Sequence, residues 1–267
     1  MKNFGVKACA LRSGSSGNSI FIGCNQTRLL VDAGISAKSI EQSLRAIGET
    51  ASDLNGILVT HEHSDHIAGV GVMMRCYQLP VYATQETWQA IRDSIGRVNP
   101  DLIHVIEPNR RQSIGDLVFS GFPTPHDAAS PVGYRIETPN GDVSVFTDIG
   151  FPEPSVLAAV SGSKLVFIEA NYDHDMLMGG SYPAMLKERI AGRDGHLSND
   201  ECAAAVYNLL ESGTCYFALS HISKENNHPD LALLAVNSRL ETAGARVGQD
   251  LLVDIAHCHA VSNPFVF

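Results

Sequence analysis

Three histidines and an aspartate lie within six consecutive residues, His61 to His66, directly after the apolar run at 56–59. The run predicts a buried strand, and alternation along an extended chain points His61 and His63 to the same side, while Asp65 and His66 begin the next segment. Groups this polar beside a buried strand are costly unless something coordinates them. Neutral imidazole and carboxylate suit borderline divalent cations and, without thiolate, leave positions open for water. The segment therefore predicts a catalytic site for one or two metal ions, with a histidine-rich surface loop as the alternative.

Length and composition predict one large domain spanning residues 1–267, since a chain of this size with 44% hydrophobic residues can bury a substantial core. No apolar stretch approaches the ~20 residues of a membrane span, and the first ten residues contain too short an apolar segment for a secretory signal. The six cysteines are scattered without a CxxC pair, as is typical of reduced core residues. We therefore expect a cytoplasmic protein that does not contact a membrane.

The net charge of −10 disfavours a broad basic surface for nucleic acid. It leaves open a local cationic site, because two divalent ions would themselves bring four positive charges to the place where a phosphate must bind. Any nucleic-acid partner is therefore expected to bind through such a local site. The sequence does not indicate an oligomeric state.

Hydrophobic periodicity and turn residues predict strands that alternate with helices along most of the chain. Helix 198–211 has the clearest start, with Ser198 as the N-cap and Glu201 three residues on. The predicted strands are 6–11, 19–23, 28–31, 56–59, 164–169 and 215–219, with a strand-rich region at 117–146. The predicted helices are 35–47, 65–77, 156–161, 182–191, 198–211 and 229–243. Two mixed sheets with helices outside them give a four-layer α/β sandwich, αβ/βα.

Four further side chains that can bind metal follow predicted strands. They are Asp32, His126, Asp148 and His221. A single His or Asp after a strand is more often a cap or turn residue. Four of them together with the dense motif favour a common site at one edge of the sheets.

The order of these residues, from Asp32 through the His61–His66 motif to His221, resembles the successive motifs of the metallo-β-lactamase fold hydrolases over nearly the whole chain. Five segments further resemble the YycJ (WalJ) group within that superfamily. They are 13–19, 131–134, 169–171, 195–199 and 220–227. The resemblance implies a cytoplasmic 5′-to-3′ DNA exonuclease with a role in mismatch repair.

The same resemblance implies two metal subsites. His61, His63 and His126 would hold the first ion, and Asp65, His66 and His221 the second. Asp148 would bridge the two ions, and Asp32 would orient a ligand histidine or the motif loop. The bridging position holds no cysteine, which departs from the β-lactam-hydrolysing classes with a thiolate ligand and agrees with phosphodiesterase-type members.

Two ions about 3.5–4 Å apart would hold a bridging hydroxide at neutral pH, which is the expected nucleophile. His196 is the candidate proton donor to the leaving group, and similar histidines in ribonuclease Z-like relatives lie on the substrate side of the site. Alternatively, His196 is itself a metal ligand and displaces His221. Glu169 would orient His196 or a water molecule, or act as a structural partner.

The predicted substrate contacts are Ser16, Asn18, Lys224 and Asn226. The Ser-Gly-rich turn at 13–18 could present Asn18 and backbone N–H groups to a phosphate, although a tight hairpin turn explains the same residues. Lys224 and Asn226 directly follow His221, where a phosphate contact and a solvated turn are both consistent with the sequence. His257 and His259 are interpreted as part of a poorly ordered tail rather than as metal ligands.

Three functions agree with these residues. The first is a DNA exonuclease with two divalent cations, Zn²⁺ or Mn²⁺ with Fe²⁺ as a further option, since His and Asp ligands accept all three. The second is a hydrolase of small molecules at the same site, cutting cyclic phosphodiesters, lactones, thioesters or β-lactams. The third is a binding scaffold that has the fold without metals.

Overall fold

The computed structural model describes residues 5–267. It contains fourteen strands within that range. They are β1 (Lys7–Arg12), β2 (Ser19–Cys24), β3 (Thr27–Val31), β4 (Gly56–Leu58), β5 (Val81–Thr84), β6 (Ile103–Ile106), β7 (Gln112–Ile114), β8 (Leu117–Pro123), β9 (Val132–Glu137), β10 (Val143–Phe146), β11 (Leu165–Glu169), β12 (Tyr216–Ser220), β13 (Leu252–Ile255) and β14 (Phe265–Val266).

The same residues form nine α-helices. They are α1 (Ala37–Ala46), α2 (Ser64–Ile67), α3 (Val70–Tyr77), α4 (Gln85–Ile91), α5 (Pro154–Val160), α6 (His174–Gly179), α7 (Ala184–Ile190), α8 (Asn199–Glu211) and α9 (Pro229–Thr242). Helix α8 begins with the predicted capping box, in which Ser198 and Glu201 satisfy each other's backbone N–H groups.

The strands form two mixed seven-stranded sheets, in the orders β14-β1-β2-β3-β4-β5-β6 (sheet A) and β13-β12-β11-β10-β9-β8-β7 (sheet B). In sheet A, β3 through β6 are parallel neighbours. In sheet B, β10 through β13 are parallel neighbours. Because parallel strands end at the same edge, each sheet collects the residues that follow its strands on one rim.

Three apolar cores separate the four layers. One core lies between the two sheets and includes the fully buried Phe119 and Tyr134. A second packs α1, α3 and α4 on sheet A, and a third packs α5, α8 and α9 on sheet B. The predicted four-layer αβ/βα sandwich is therefore confirmed.

Two local predictions were wrong. The helix predicted at 65–77 is two helices, α2 and α3, which are interrupted at Gly69. The residues after the last predicted strand are also not a loose tail, because β13 joins sheet B and β14 pairs with β1 at the edge of sheet A. His257 and His259 lie between these two strands, and the carbonyl of His257 accepts a hydrogen bond from the Ser13 N–H (3.0 Å).

No helix within residues 5–267 is long and apolar enough to cross a membrane. Residues 1–4 belong to the segment in which we expect no secretory signal, and they lie outside the described residues.

Candidate metal centre

Residues that follow strands of both sheets meet at one rim of the sandwich. Sheet A contributes Asp32 after β3 and the His61–His66 motif after β4. Sheet B contributes His126 after β8, Asp148 after β10 and His221 after β12. All of the side chains predicted to bind metal are thus brought together, although the chain separates the first from the last by more than half of its length.

His61, His63 and His126 form the first group, and their ligand atoms lie within 4.8 Å of one another. The Nδ1 of His126 is 3.1 Å from the carbonyl of Gly195, and the Nδ1 of His61 is 2.9 Å from the Thr60 hydroxyl. When each Nδ1 carries its proton, both contacts are hydrogen bonds and Nε2 is left with a free lone pair. The surroundings therefore favour the tautomer that a metal ligand needs.

Asp65, His66 and His221 form the second group, within the same distance limit. The Oδ2 of Asp65 is 3.7 Å from the Nε2 of His66 and 3.8 Å from the Nε2 of His221. Asp148 lies between the two groups, since its carboxylate oxygens are 3.2 Å from the Nε2 of His66 and 3.9 Å from the Nε2 of His126. Its carboxylate therefore lies between the two groups, as the resemblance implies for a bridging residue.

Asp32 is 3% exposed and lies beneath the motif. Its carboxylate accepts hydrogen bonds from the N–H of Thr60 (2.8 Å), the hydroxyl of Thr60 (2.9 Å) and the Nδ1 of His66 (2.7 Å). The carboxylate therefore fixes the first residue of the motif loop and keeps the proton of His66 on Nδ1.

Glu169 has the equivalent position on sheet B and is fully buried. Its Oε1 is 2.8 Å from the Nδ1 of His196 and 2.7 Å from the Nδ1 of His221. Its Oε2 accepts a hydrogen bond from the backbone N–H of Ile149 (2.9 Å). One carboxylate thus orients two imidazoles, and each of them is left with Nε2 directed away from Glu169.

Three of these residues have left-handed backbone conformations, with φ of 61° at Asp32, 58° at Asp148 and 52° at His221. Such conformations cost non-glycine residues of order 1–3 kcal/mol each and cluster at functional sites. Each one lies where the chain leaves a strand, and it turns the side chain toward the rim. The strained backbone conformations direct all three side chains toward the same point.

Four buried atoms in this cluster have no hydrogen-bond partner within the described residues. They are the Nε2 atoms of His61, His126 and His221, and the Oδ2 of Asp148. Buried polar atoms are almost always paired, so a group of converging lone pairs requires a missing partner. A divalent cation matches this set, because imidazole nitrogen and carboxylate oxygen are its ordinary ligands. The residues present therefore fit a metal centre.

The charges of the cluster agree with this fit. Burial, together with the nearby His66, lowers the pKa of His61 well below its ordinary value. Burial also lowers the pKa of His126, and both imidazoles are therefore neutral, as a ligand must be. Burial alone would lower the pKa of His66 as well, but the carboxylates of Asp148 and Asp32 raise it to about 10. This rim therefore attracts positive charge.

A cleft of about 220 Å³ opens beside the centre. His196 and His221 reach it from the metal side, and Tyr182, Leu186 and Arg189 line it from the α6–α7 region. Of the four predicted substrate contacts, only Asn226 lines this cleft. Tyr182, Leu186 and Arg189 lie in or beside a predicted helix and carry no motif, so the sequence offers no signal that assigns them to a site.

The Ser-Gly-rich turn is a structural hairpin, and the N–H groups of Gly14, Gly17 and Asn18 are hydrogen-bonded within the protein. The N–H of Gly14 donates to the Oδ1 of Asn18 (2.8 Å), the N–H of Gly17 to the carbonyl of Gly14 (2.9 Å), and the N–H of Asn18 to the carbonyl of Asp65 (2.7 Å). The side chain of Asn18 is buried, with Nδ2 3.0 Å from the Nε2 of His66. In this structure Asn18 contacts the motif loop, and its predicted contact with a phosphate stays a prediction.

Ser16 and Lys224 are exposed residues, and neither lines the cleft. The Ser16 hydroxyl is 3.3 Å from the Sγ of Cys258, and Ser15 lines the cleft in its place. Lys224 lines a neighbouring cavity instead.

A buried network of three asparagine amides lies under the centre, and sequence patterns did not indicate it. The side chains of Asn199 and Asn227 bond to each other in both directions, at 2.9 and 2.8 Å. Asn227 also donates to the carbonyl of Asn171 (3.1 Å), whose own amide donates to the carbonyl of His221 (2.9 Å). The network joins the segments that carry His196 and His221. Asn171 follows strand β11 much as Asp32 follows β3, and that position is the signal that could have identified it.

Comparison with known proteins agrees with this fold. The model of the beta-lactamase superfamily domain matches residues 27–222. Exodeoxyribonuclease WalJ of Streptococcus pneumoniae is 40% identical over 95% of both chains, and exodeoxyribonuclease YycJ of Bacillus anthracis is 37% identical over 92% of this chain and 93% of its own. The metallo-beta-lactamase fold protein YhfI of Bacillus subtilis shares the fold, with a TM-score of 0.72 at 16% identity over 97% of this chain and 99% of its own. The chain belongs to the beta-lactamase superfamily.

Proposed function

We propose that this chain is a metal-dependent phosphodiesterase that removes nucleotides from DNA ends. The observation that carries the proposal is the convergence of unpartnered imidazole nitrogens and a carboxylate oxygen in a buried cluster beside a cleft. The substrate class rests on the two exodeoxyribonucleases that match nearly the whole chain. The 5′-to-3′ polarity and the role in DNA repair belong to the same proposal and rest on the resemblance.

Two cations would be held by the two groups of residues, with Asp148 between them. His61, His63 and His126 face one subsite, and Asp65, His66 and His221 face the other. Bound divalent cations supply the Lewis acidity that activates water and neutralises charge on a phosphate. Zn²⁺ and Mn²⁺, and after them Fe²⁺, suit this ligand set.

The protein's own residues prepare the site for an in-line displacement at phosphorus. Asp32 and Glu169 hold His66 and His221 through their Nδ1 atoms, so the ligand geometry exists before substrate arrives. His66, Asp148 and His221 are buried, and a phosphodiester would reach this cluster through the cleft that His196 and His221 line.

His196 is the proposed proton donor to the leaving oxygen. Its Nδ1 is held by Glu169 at 2.8 Å and its side chain is 23% exposed, so the opposite edge of the ring reaches the cleft. When the P–O bond breaks, the electron pair stays on the leaving oxygen, and the Nε2 proton of His196 neutralises it. Our assignment of His221 to the second subsite with Asp65 and His66 supports His196 as the proton donor over His196 as a replacement ligand.

The decisive experiment combines metal analysis with digestion of labelled DNA. We expect about two divalent cations per chain after purification without chelators. We also expect loss of nucleotides from 5′-labelled ends earlier than from 3′-labelled ends, in single-stranded and duplex DNA. The Asp65→Ala variant should lose activity. Fewer than one metal per chain, or digestion by Asp65→Ala at the wild-type rate, would contradict the proposal.

Hydrolysis of small molecules at the same site is the second candidate, and the net charge of −10 favours it. A panel of lactones, thioesters and β-lactams separates the two candidates. Turnover of any of them at a kcat/KM comparable with that on DNA would favour the small-molecule hydrolase. The six free cysteines are consistent with a reducing compartment, and the proposed location is therefore the cytoplasm.

A further inference from the structure

A second cavity, of about 240 Å³, lies next to the active-site cleft. Its floor is apolar and includes Ile222, Pro229 and Ile255. Ser223, which follows the proposed ligand His221 by two residues, lines both cavities. A linear ligand that extends out of the cleft past Ser223 therefore reaches the second cavity directly.

The rim of this cavity is basic, although the protein as a whole is acidic. Lys224, His228, His257 and His259 line it, and the described residues that line it include no Asp or Glu side chain. Lys224 is exposed and forms no ion pair within residues 5–267. His228 is 3.4 Å from Asp230, which is the nearest carboxylate contact of this group. In a protein with a net charge of −10, an exposed ammonium group without an ion pair, beside imidazoles that can donate hydrogen bonds and with no carboxylate in the lining, makes this hollow a local site for an anion.

The position of His257 and His259 is built into the fold. They lie in the connection between β13, an edge strand of sheet B, and β14, an edge strand of sheet A. The His257 N–H donates to the hydroxyl of Ser262 (2.8 Å), and its carbonyl accepts from Ser13. The backbone of this connection is therefore held in place, while His257 and His259 remain exposed.

We infer that this cavity is a second nucleotide subsite, which binds the part of the DNA strand next to the scissile phosphodiester. The apolar floor and the flat imidazoles suit a base, because stacking on π-faces tolerates every sequence. Lys224 suits the phosphate that joins this nucleotide to the one in the cleft. The inference rests on the proposed function and adds a specific path for the strand.

The test compares substrates that reach the second cavity with one that does not. Bis(p-nitrophenyl) phosphate is a small phosphodiester that occupies the cleft alone, whereas oligothymidylates of increasing length extend beyond it. In the wild-type protein we expect kcat/KM to rise when the oligonucleotide becomes long enough to fill the second cavity. The double substitution H257A and H259A should lower kcat/KM on the longer oligonucleotides by roughly tenfold. It should not change hydrolysis of the small ester.

Lys224→Gln tests the phosphate contact through its salt dependence. Loss of one phosphate contact to a single strand lowers the slope of log affinity against log salt by about 0.7. The slope is measured on the metal-loaded protein by fluorescence anisotropy of a labelled phosphorothioate oligothymidylate, which keeps the backbone charge and resists cleavage. Arg92→Gln is the matched control, because it removes one exposed positive charge beside β5 and β6, at the opposite edge of sheet A.

The outcomes separate the second subsite from the proposed nuclease function. If the wild-type protein binds the oligonucleotide and the Lys224→Gln slope changes while Arg92→Gln does not, the subsite is supported, whatever the turnover. A length profile and salt slope unchanged by the substitutions would overturn the subsite and leave the proposed nuclease function intact. Failure of the wild-type protein to bind or cut any oligonucleotide would overturn both.

Discussion

Replacing Asp32 by Asn turns one oxygen of a buried carboxylate into an amide nitrogen. We expect this to weaken metal binding by His66, a proposed ligand that the substitution leaves in place. In the wild-type protein the Oδ2 of Asp32 accepts the Nδ1 proton of His66 at 2.7 Å. In the Asp32→Asn variant an amide N–H₂ takes this position and can only donate. His66 must then accept at Nδ1, which moves its proton to Nε2. The Nε2 lone pair that faces Asp65 and Asp148 is lost.

The size of the effect follows from this contact. Loss of the partner that orients a ligand histidine typically lowers metal affinity by about 10–100-fold, which corresponds to about 1.4–2.7 kcal/mol. The effect on folding should be smaller, because the amide oxygen of the variant still accepts the backbone N–H of Thr60, which is 2.8 Å from Oδ1 in the wild type. About one hydrogen bond, near 1 kcal/mol, is lost from the free energy of unfolding of the metal-free protein.

The assay is calorimetric titration of metal-free protein with Zn²⁺ and with Mn²⁺, together with urea denaturation in EDTA. Thr60→Ser is the matched control, because it keeps the hydroxyl that bonds to Asp32 and should keep wild-type affinity. Two sites of wild-type affinity in Asp32→Asn would refute the assignment of His66 as a ligand held by Asp32.

Three further outcomes are expected. Tyr134→Phe should lower the free energy of unfolding by about 1–3 kcal/mol in urea denaturation, because the carbonyl of Val59 loses its 2.8 Å hydrogen bond in the buried core; an unchanged midpoint would contradict this. Burial alone would raise the pKa of Glu49, but hydrogen bonds from Lys7 and Arg28 lower it below its ordinary value of 4.5. The ion pairs of Glu49 therefore stabilise the fold at pH values above 4.5, and this stabilisation is lost as the pH falls through the folded-state pKa. The difference in free energy of unfolding between wild type and Glu49→Gln should therefore shrink on acidification. A constant difference from about pH 7 to about pH 3, which spans the ordinary carboxyl pKa, would contradict this role of the ion pairs. Removal of the metals by EDTA should lower the Tm by roughly 5–10 °C. At a hundredfold excess of metal over Kd, binding stabilises the folded protein by about 2.7 kcal/mol, and each kcal/mol shifts the Tm by about 2–4 °C for a chain of this size. Equal melting with and without EDTA would argue against a metal bound by the folded state alone.

The layers and the residues of the rim could be predicted from the sequence because both depend on local patterns. The apolar run before His61 and the strand residues before Asp148 were interpreted correctly, since burial of a strand requires apolar residues whatever the partner strand is. The break in the predicted helix could not be found in this way. A side chain at Gly69 would lie 2.3 Å from the carbonyl of Ile35, so the backbone of another segment determines that position.

The side chains that line the cleft depend on contacts between distant segments. Tyr182 and Arg189 reach the site only because α7 packs beside the His196 loop, and no periodicity reports that neighbour. The short strand β14 was likewise absent from the predictions, because two residues carry too little pattern and their pairing with β1 spans the whole chain. Local sequence patterns therefore do not predict how segments that are far apart in the chain pair with each other.

The two sheets each carry half of the proposed cage, which gives the apolar layer between them a second consequence. The separation of the half-sites follows the thickness of that layer, and interiors packed like crystals transmit small changes in volume over several residues. A substitution that thins the layer at Phe119, a core residue between the sheets, would move the sheet B ligands of each proposed subsite relative to its sheet A ligands. The ligand spacing within each proposed subsite, and with it the choice of ion, would therefore depend partly on hydrophobic residues remote from the chemistry.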